Sequence, residues 1–378
     1  MDKQKTKILL IVRHPVGGIR TFLKYVYNKF DPDIYSFSLI APVYPETQIL
    51  LNDLKYLDVQ FIPVDGKNIE ISLFCVLLRE ICRHNYHLIH SHGLTSGIIT
   101  AIPAKICRIP HILTLHDVFT DKQFKGFSGF LKMLVIKFTI SMVNKIHFVS
   151  NDACNDFMNK ISNKYNTEKF VTIVNGIEVE QFSNSCVRNF RKELLLDDDS
   201  FLVGFCGRFM AQKGFIYLVD ALDLILTERG PEKKVYLLAF GGDGFVREDT
   251  CYVESLGISS NVYFLPFEPD LGPVLKGLNV LVMPSLWEAC GLLAMEALVA
   301  GVPLITSDCI GLREVTRNTP SIVVPTRNSE AIAGAISNEI DKPSTDIFTD
   351  FIHTAQMEFD VKKQSKSLME IYKELLLK

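Results

Sequence analysis

NVLVMPSLWEACGLLAMEALVAGVPLI, residues 279–305, holds an apolar run rich in β-branched residues, a Pro-Ser break, a stretch of helix formers and a second short apolar run. Strand, turn, helix and strand in that order make a βαβ unit, and such units build parallel sheets covered by helices. The alternation extends outward to both ends of the chain. Strand-like runs occupy 7–13, 35–41, 59–63, 87–91, 111–115, 146–150 and 170–174, then 201–206, 235–240, 262–265, 280–283, 303–306 and 322–324. Helix-like segments such as 214–229 and 291–300 fall between them. The expected fold class is α/β, in two doubly wound halves.

A chain of 378 residues also exceeds the roughly 250–300 at which single cores stop growing. The boundary is expected near 190, within the polar, acidic stretch 178–200 that carries Asp197, Asp198 and Asp199, giving domains of 1–189 and 190–359. The tail, 360–378, sets Leu368, Ile371, Tyr372, Leu375 and Leu376 on one helical face and is expected to pack back on the first domain.

The composition, 48% hydrophobic and 22% charged, is that of a well-packed globular protein, and a formal net charge of −3 offers no basic field to nucleic acid. Nine cysteines without a CxxC pair suggest neither a disulfide framework nor a zinc ribbon and fit a reducing cytoplasm. Residues 1–7 lack the apolar stretch of a signal peptide, and 84–104 is too interrupted by polar residues to span a bilayer. The expected location is therefore cytoplasmic. Segment 121–145 interleaves Lys122, Lys125, Lys132, Lys137 and Lys145 with Phe124, Phe127, Phe130, Leu131, Leu134 and Phe138. It reads either as an ordinary half-buried helix or as a docking surface for the inner face of an anionic membrane.

Residues able to carry chemistry cluster at the ends of the strand-like runs. The first run leads into His14-Pro15-Val16-Gly17-Gly18 and then a helical stretch. Gly17 and Gly18 either make a simple tight turn or let an anionic ligand reach helix N–H groups. They do not form GxGxxG, so a dinucleotide-dependent dehydrogenase loses its main support. The run 201–206 ends at Gly207-Arg208, with Gln212-Lys213-Gly214 opening the next helix. Two cations at a strand's carboxyl end and a helix N-terminus suit a diphosphate. Gly241-Gly242-Asp243-Gly244 adds backbone donors at the same edge. In the opening stretch Glu288 falls in the loop and Glu296 in the helix. Free N–H groups near Cys290 to Leu293, with Gly291 and Leu292 between them, would face a phosphate while the carboxylates accept from sugar hydroxyls. His84, His87, His90 and His92 match no common zinc spacing.

The Glu288-to-Glu296 spacing, Gly207-Arg208 with a following Lys213, the Pro284-Ser285 turn and Ala300-Gly301-Val302-Pro303-Leu304-Ile305 together resemble the retaining GT-B glycosyltransferases of family 4. The likeness covers nearly the whole chain, including Thr114-Leu115-His116-Asp117 and Asn175-Gly176-Ile177-Glu178. It implies two Rossmann-like domains facing each other across a donor-binding cleft, a UDP- or GDP-linked sugar as donor, a glycan or lipid-linked acceptor, and no divalent metal. Arg208 and Lys213 would hold the donor diphosphate, Gly18 would admit the leaving group or acceptor, and His116 would contact the transferred sugar. Glu288 would bind hydroxyls of that sugar and Glu296 the ribose, which puts Lys213 and Glu288 at opposite ends of the donor. Base contacts would come from 266–268, and His92 would lie on the acceptor side. Ala289-Cys290-Gly291 departs from the Gly-Phe-Gly or Pro-Phe-Gly of many relatives, which bears on the fit of the donor sugar. The alternatives are an epimerase or phosphorylase on the same plan, or a non-catalytic nucleotide-sugar-binding subunit.

Overall fold

The computed structural model describes residues 5–161, 167–230, 234–242 and 246–377. It divides into two compact units, Met1–Gly176 with Val361–Lys378, and Ile177–Asp360. In the first unit lie β1 (Thr6–Val12), β2 (Tyr35–Pro42), β3 (Gln60–Val64), β4 (Leu88–His92), β5 (His111–Leu115), β6 (Lys145–Phe148) and β7 (Phe170–Thr172). They form one sheet in the order β3-β2-β1-β4-β5-β6-β7. The second unit holds β8 (Phe201–Cys206), β9 (Val235–Phe240), β10 (Val262–Leu265), β11 (Val280–Met283), β12 (Leu304–Ser307) and β13 (Ile322–Val324), in the order β10-β9-β8-β11-β12-β13. Each strand corresponds to a strand-like run of the sequence, displaced at some ends by a residue or two.

Neighbouring strands in both sheets are parallel. A parallel sheet is covered on both faces, so its strands must be apolar throughout rather than alternating. Ile8 through Val12 are accordingly all 0% exposed, and β11 is buried along its whole length. The strand order reverses between β1 and β4 in one sheet and between β8 and β11 in the other. Chain direction parts on either side of such a reversal, and the carboxyl ends there line a crevice suited to a ligand.

The units meet in sequence at Gly176, earlier than the boundary expected near 190. Residues 177–189 belong to the second unit, where Val179 and Phe182 of the short helix Val179–Ser183 are buried. The helix Val361–Leu376 belongs to the first unit and buries Leu368, Ile371, Tyr372 and Leu375, while Leu376 is 36% exposed and leaves that face. Gln364 fastens this helix to the end of the first unit. Its Nε2 donates to Asn175 Oδ1 at 2.8 Å, and its Oε1 accepts from Gly176 N at 2.8 Å. All nine cysteines are free thiols. No helix among the described residues is long and apolar enough to cross a membrane.

Candidate functional site

In the second unit the turn after β8 and the loop after β11 are laced together. Leu286 N donates to Gln212 O at 2.7 Å, and Gln212 Nε2 donates to Trp287 O at 2.8 Å. Gly214 is left-handed at φ +67, and a Cβ there would lie 2.1 Å from Pro284 O. Only glycine allows that approach. It brings Lys213 Nζ to 2.6 Å from Glu288 Oε1, an oxygen that also accepts from Ser285 Oγ at 2.8 Å. Lys213 and Glu288 are therefore in direct contact, because the loops that carry them cross at the sheet's reversal.

Glu288 is 8% exposed and its backbone is gripped from a third side. Its N–H donates to Ile310 O at 3.0 Å, and a Cβ on Gly311, at φ +81, would come 2.4 Å from Glu288 O. Cys309 stands in the same loop. Burial and then the Glu288 charge push its thiol up to about 11, so it is neutral at ordinary pH. Ser285, named in the sequence only as part of the Pro284-Ser285 turn, supports this site together with Cys309 and Gly311, which no motif marks. The Pro-Ser turn was the available signal for Ser285, whereas the loop after β12 carries none.

Arg208 follows β8 and is exposed, and no described residue bonds its guanidinium. Glu296, 6% exposed on the helix Leu292–Ala300, faces the end of β8, where burial and the Glu296 charge raise the Cys206 thiol. Gly291 caps that helix. Leu292 N is turned onto Cys290 O at 3.0 Å, so the expectation of free N–H groups throughout 290–293 fails at Leu292. Cys290 is partly exposed. Of the diglycine after β9, Gly241 packs so that a Cβ would meet Gly207 O at 2.0 Å, whereas Gly207 and Gly242 have no neighbour nearer than 3.8 and 3.9 Å. Asp243 and Gly244 lie outside the described residues. In the base loop Glu268 is paired with Arg188 at 3.0 Å.

The first unit carries the remaining candidates. Gly17 and Gly18 are exposed at the start of the helix Gly17–Tyr27, and a Cβ on either would meet nothing within 4 Å. His116 follows β5, its Nε2 3.1 Å from Nδ1 of His92, with Phe22 edge-on at a centroid distance of 4.9 Å. Burial lowers His116 to about 3, so the imidazole is neutral. His90 and His92 are buried at the end of β4, while His84 and His87 are exposed, which splits the histidine cluster.

Two Asp-x-Asp triplets are present. Asp31 and Asp33 form a turn before β2, and Asp197 and Asp199 pair with Lys234 before β9, so both lie at amino ends of strands, away from these residues. No group of His, Cys, Asp and Glu among the described residues is arranged to hold a metal ion.

Cations and a carboxylate gathered at a reversal of a parallel sheet, in each case after a strand's carboxyl end, have the chemistry to suit an anionic ligand that carries hydroxyls. Residues 16–181 match the family model described as Glycosyltransferase Family 4, and residues 187–348 match that of Glycosyl transferases group 1. With its two parallel-sheet units, the chain belongs to the family-4-like glycosyltransferases of GT-B fold.

It is similar to an uncharacterised glycosyltransferase of Methanocaldococcus jannaschii, 29% identical over 263 residues, 66% of this chain and 65% of that one. It is 26% identical over 276 residues to UDP-Gal:alpha-D-GlcNAc-diphosphoundecaprenol alpha-1,3-galactosyltransferase of Escherichia coli, covering 68% of each. The chain thus spans just under two thirds of the length of the first of these relatives. Anabaena HepE in complex with UDP and glucose superimposes with a TM-score of 0.81 at 20% identity, covering 98% of this chain and all of HepE.

Proposed function

We propose that this protein transfers a sugar from a nucleoside-diphosphate sugar to a glycan or lipid-linked acceptor, with retention at the anomeric carbon, in the synthesis of a cell-surface polysaccharide or glycolipid. The observation that carries the reading is the juxtaposition of Lys213, Glu288 and Ser285 at the β8–β11 reversal, with Arg208 beside β8. When the bond between the sugar and the diphosphate breaks, negative charge grows on the leaving phosphate and positive charge on the ring. Fixed cations stabilise the former, each donor of this kind being worth roughly a few kcal/mol. Lys213 and Arg208 serve the phosphate, Glu288 the sugar hydroxyls, and Glu296 the ribose. Retention follows from attack on the face the leaving group vacates, and no residue is assigned as a nucleophile.

UDP-linked donors are favoured, since the names of the relatives include a UDP-Gal transferase and HepE is bound to UDP and glucose. The helix Gly126–Met142 adds an acceptor-side argument. Phe127, Phe130, Leu131, Leu134 and Phe138 recur at helical spacing and are 46–77% exposed, flanked by Lys132 and Lys137. An exposed aromatic stripe beside cations suits an anionic membrane that presents a lipid-linked acceptor. Lys145 does not join this surface, because it pairs with Glu374 at 3.6 Å.

Incubation with UDP-galactose, UDP-glucose and GDP-linked sugars, with and without lipid-linked acceptors, tests the reading by product analysis. Acceptor-dependent release of nucleoside diphosphate supports transfer. Release without acceptor points to an epimerase that hydrolyses its donor. Affinity without turnover across the panel points to a binding subunit.

A further inference from the structure

Behind His116 the first unit contains a closed run of buried hydrogen bonds that ends in the carboxyl-terminal helix. His147 Nε2 lies 3.1 Å from Ile173 O, and its Nδ1 lies 2.9 Å from Thr114 Oγ1. Thr114 Oγ1 is 2.6 Å from His90 Nε2, and His90 Nδ1 is 2.6 Å from Tyr372 Oη and 2.9 Å from Tyr27 Oη. Tyr27 Oη is 3.0 Å from both Tyr372 Oη and His92 Nε2, and His92 Nδ1 meets His116 Nε2 at 3.1 Å.

The protons of this run can be placed by counting donors. A carbonyl can only accept, so His147 donates from Nε2 to Ile173. Burial lowers His147 to about 4 and holds His90 and His92 well below the ordinary value, so each ring carries one proton. His147 Nδ1 then accepts from Thr114, Thr114 accepts from His90 Nε2, and His90 Nδ1 accepts from a tyrosine hydroxyl, nearest Tyr372. Tyr27 has one proton left to place. If it goes to His92, the 3.0 Å contact between the two tyrosine oxygens has no proton and two acceptors face each other. If it goes to Tyr372, His92 donates from Nε2 to Tyr27, and His116 donates from Nε2 to His92. The second arrangement makes one more hydrogen bond, and a lost buried bond is costly.

We propose that Tyr27 is a positioning residue that, through His92, holds His116 with its proton on Nε2 and leaves Nδ1 as the acceptor offered to a hydroxyl of the transferred sugar. This rests on the proposed sugar-transfer function and on the contact of His116 with the transferred sugar that the family resemblance implies. His116 Nδ1 has no hydrogen bond to any described residue. Removing the Tyr372 hydroxyl leaves Tyr27 free to donate to His90 instead, so the direction of the run survives. Removing the Tyr27 hydroxyl severs it.

The test is the imidazole nitrogen spectrum of the full chain labelled with 15N-histidine, with His116 assigned from the signals lost in His116→Gln. The expected parent form is Nε2–H, unchanged in Tyr372→Phe and shifted toward Nδ1–H in Tyr27→Phe. Thermal melting confirms that both variants fold. In donor turnover, Tyr27→Phe should lower kcat by about three- to tenfold, the equivalent of one hydrogen bond, with little change in the donor KM, and Tyr372→Phe should do so less. An Nδ1–H parent, or an unchanged tautomer in Tyr27→Phe, overturns the proposal. So does a shifted tautomer with undiminished kcat. The nitrogen spectrum is read without substrate, so a failure of the sugar-transfer reading would show separately as a parent that has the expected tautomer and turns over no donor.

Discussion

Lys213 Nζ and Glu288 Oε1 lie 2.6 Å apart, so the cation expected at the donor diphosphate and the carboxylate expected at the donor sugar form one ion pair. Their side chains are 23% and 11% exposed, which leaves the pair only partly screened by water. If the donor phosphate binds at Lys213 as proposed, it would share that cation with Glu288, and each residue would tune what the other binds.

Glu288→Gln should therefore leave Lys213 more available, holding or raising the affinity for free nucleoside diphosphate, while kcat/KM falls by about tenfold to a few hundredfold. The fall corresponds to losing a hydrogen bond to an ionised group, roughly 1.5–3 kcal/mol. Lys213→Ala should weaken both nucleotide affinity and turnover and lower the melting temperature, since it strips a buried carboxylate of its cation and leaves it the Ser285 hydroxyl. Calorimetry and steady-state kinetics separate the two. Lost nucleotide affinity with full turnover in Glu288→Gln would reverse the assignment.

The glycines divide by what surrounds them. Gly214→Ala places a left-handed Cβ 2.1 Å from Pro284 O, so it should destabilise the fold by more than the about 1–2 kcal/mol of the conformation alone, and part Lys213 from Glu288. Gly18→Ala and Gly207→Ala meet nothing within 4 Å and nothing nearer than 3.8 Å, so the fold tolerates both. If a ligand is what requires their bareness, donor affinity or turnover drops at an unchanged melting temperature. Full activity in both would remove them from the site.

Acid should unfold the chain early. His90, His92, His111 and His147 are buried and held neutral in the folded state, chiefly by burial. In the unfolded chain each titrates near 6.5, so below that pH the unfolded state binds protons that the folded state refuses. Stability is full above about 6.5 and falls as pH drops, by up to about 1.4 kcal/mol per pH unit for each histidine. The loss ends near 4 for His147 and near 3 for His111. Denaturant titrations at pH 7, 6 and 5 should show a falling midpoint, and a flat profile over that range would contradict the neutral assignment.

Turnover should survive a chelator, because Arg208 and Lys213 supply the charge that a divalent ion supplies elsewhere and both Asp-x-Asp triplets lie at the amino ends of strands, away from these residues. Activity lost in EDTA and restored by magnesium or manganese would sink this reading.

Docking on an anionic bilayer should depend on the exposed stripe of the helix Gly126–Met142. Phe127→Ser with Phe130→Ser, and separately Lys125→Glu with Lys132→Glu, should each reduce sedimentation with phosphatidylglycerol vesicles, the lysines by about 1 kcal/mol apiece. Sedimentation unchanged in both pairs would leave the helix as a surface element of the fold.

The sequence by itself determined the two parallel sheets, because strands buried on both faces must be apolar along their length and the helices between them must punctuate those runs. It also determined which residues stand at the carboxyl ends, among them Arg208, Lys213, Glu288 and His116. Only the tertiary structure decided that Lys213 touches Glu288 across 75 positions, since that contact depends on β8 and β11 being neighbours at the reversal and on Gly214 fitting under Pro284. It alone decided that Tyr372 bonds His90 across 282 positions, and that the units part at Gly176 rather than near 190. Hydrophobic periodicity reports which face of each element is buried. Which element it is buried against is settled by strand order and packing, and contacts between distant segments leave no period in the chain.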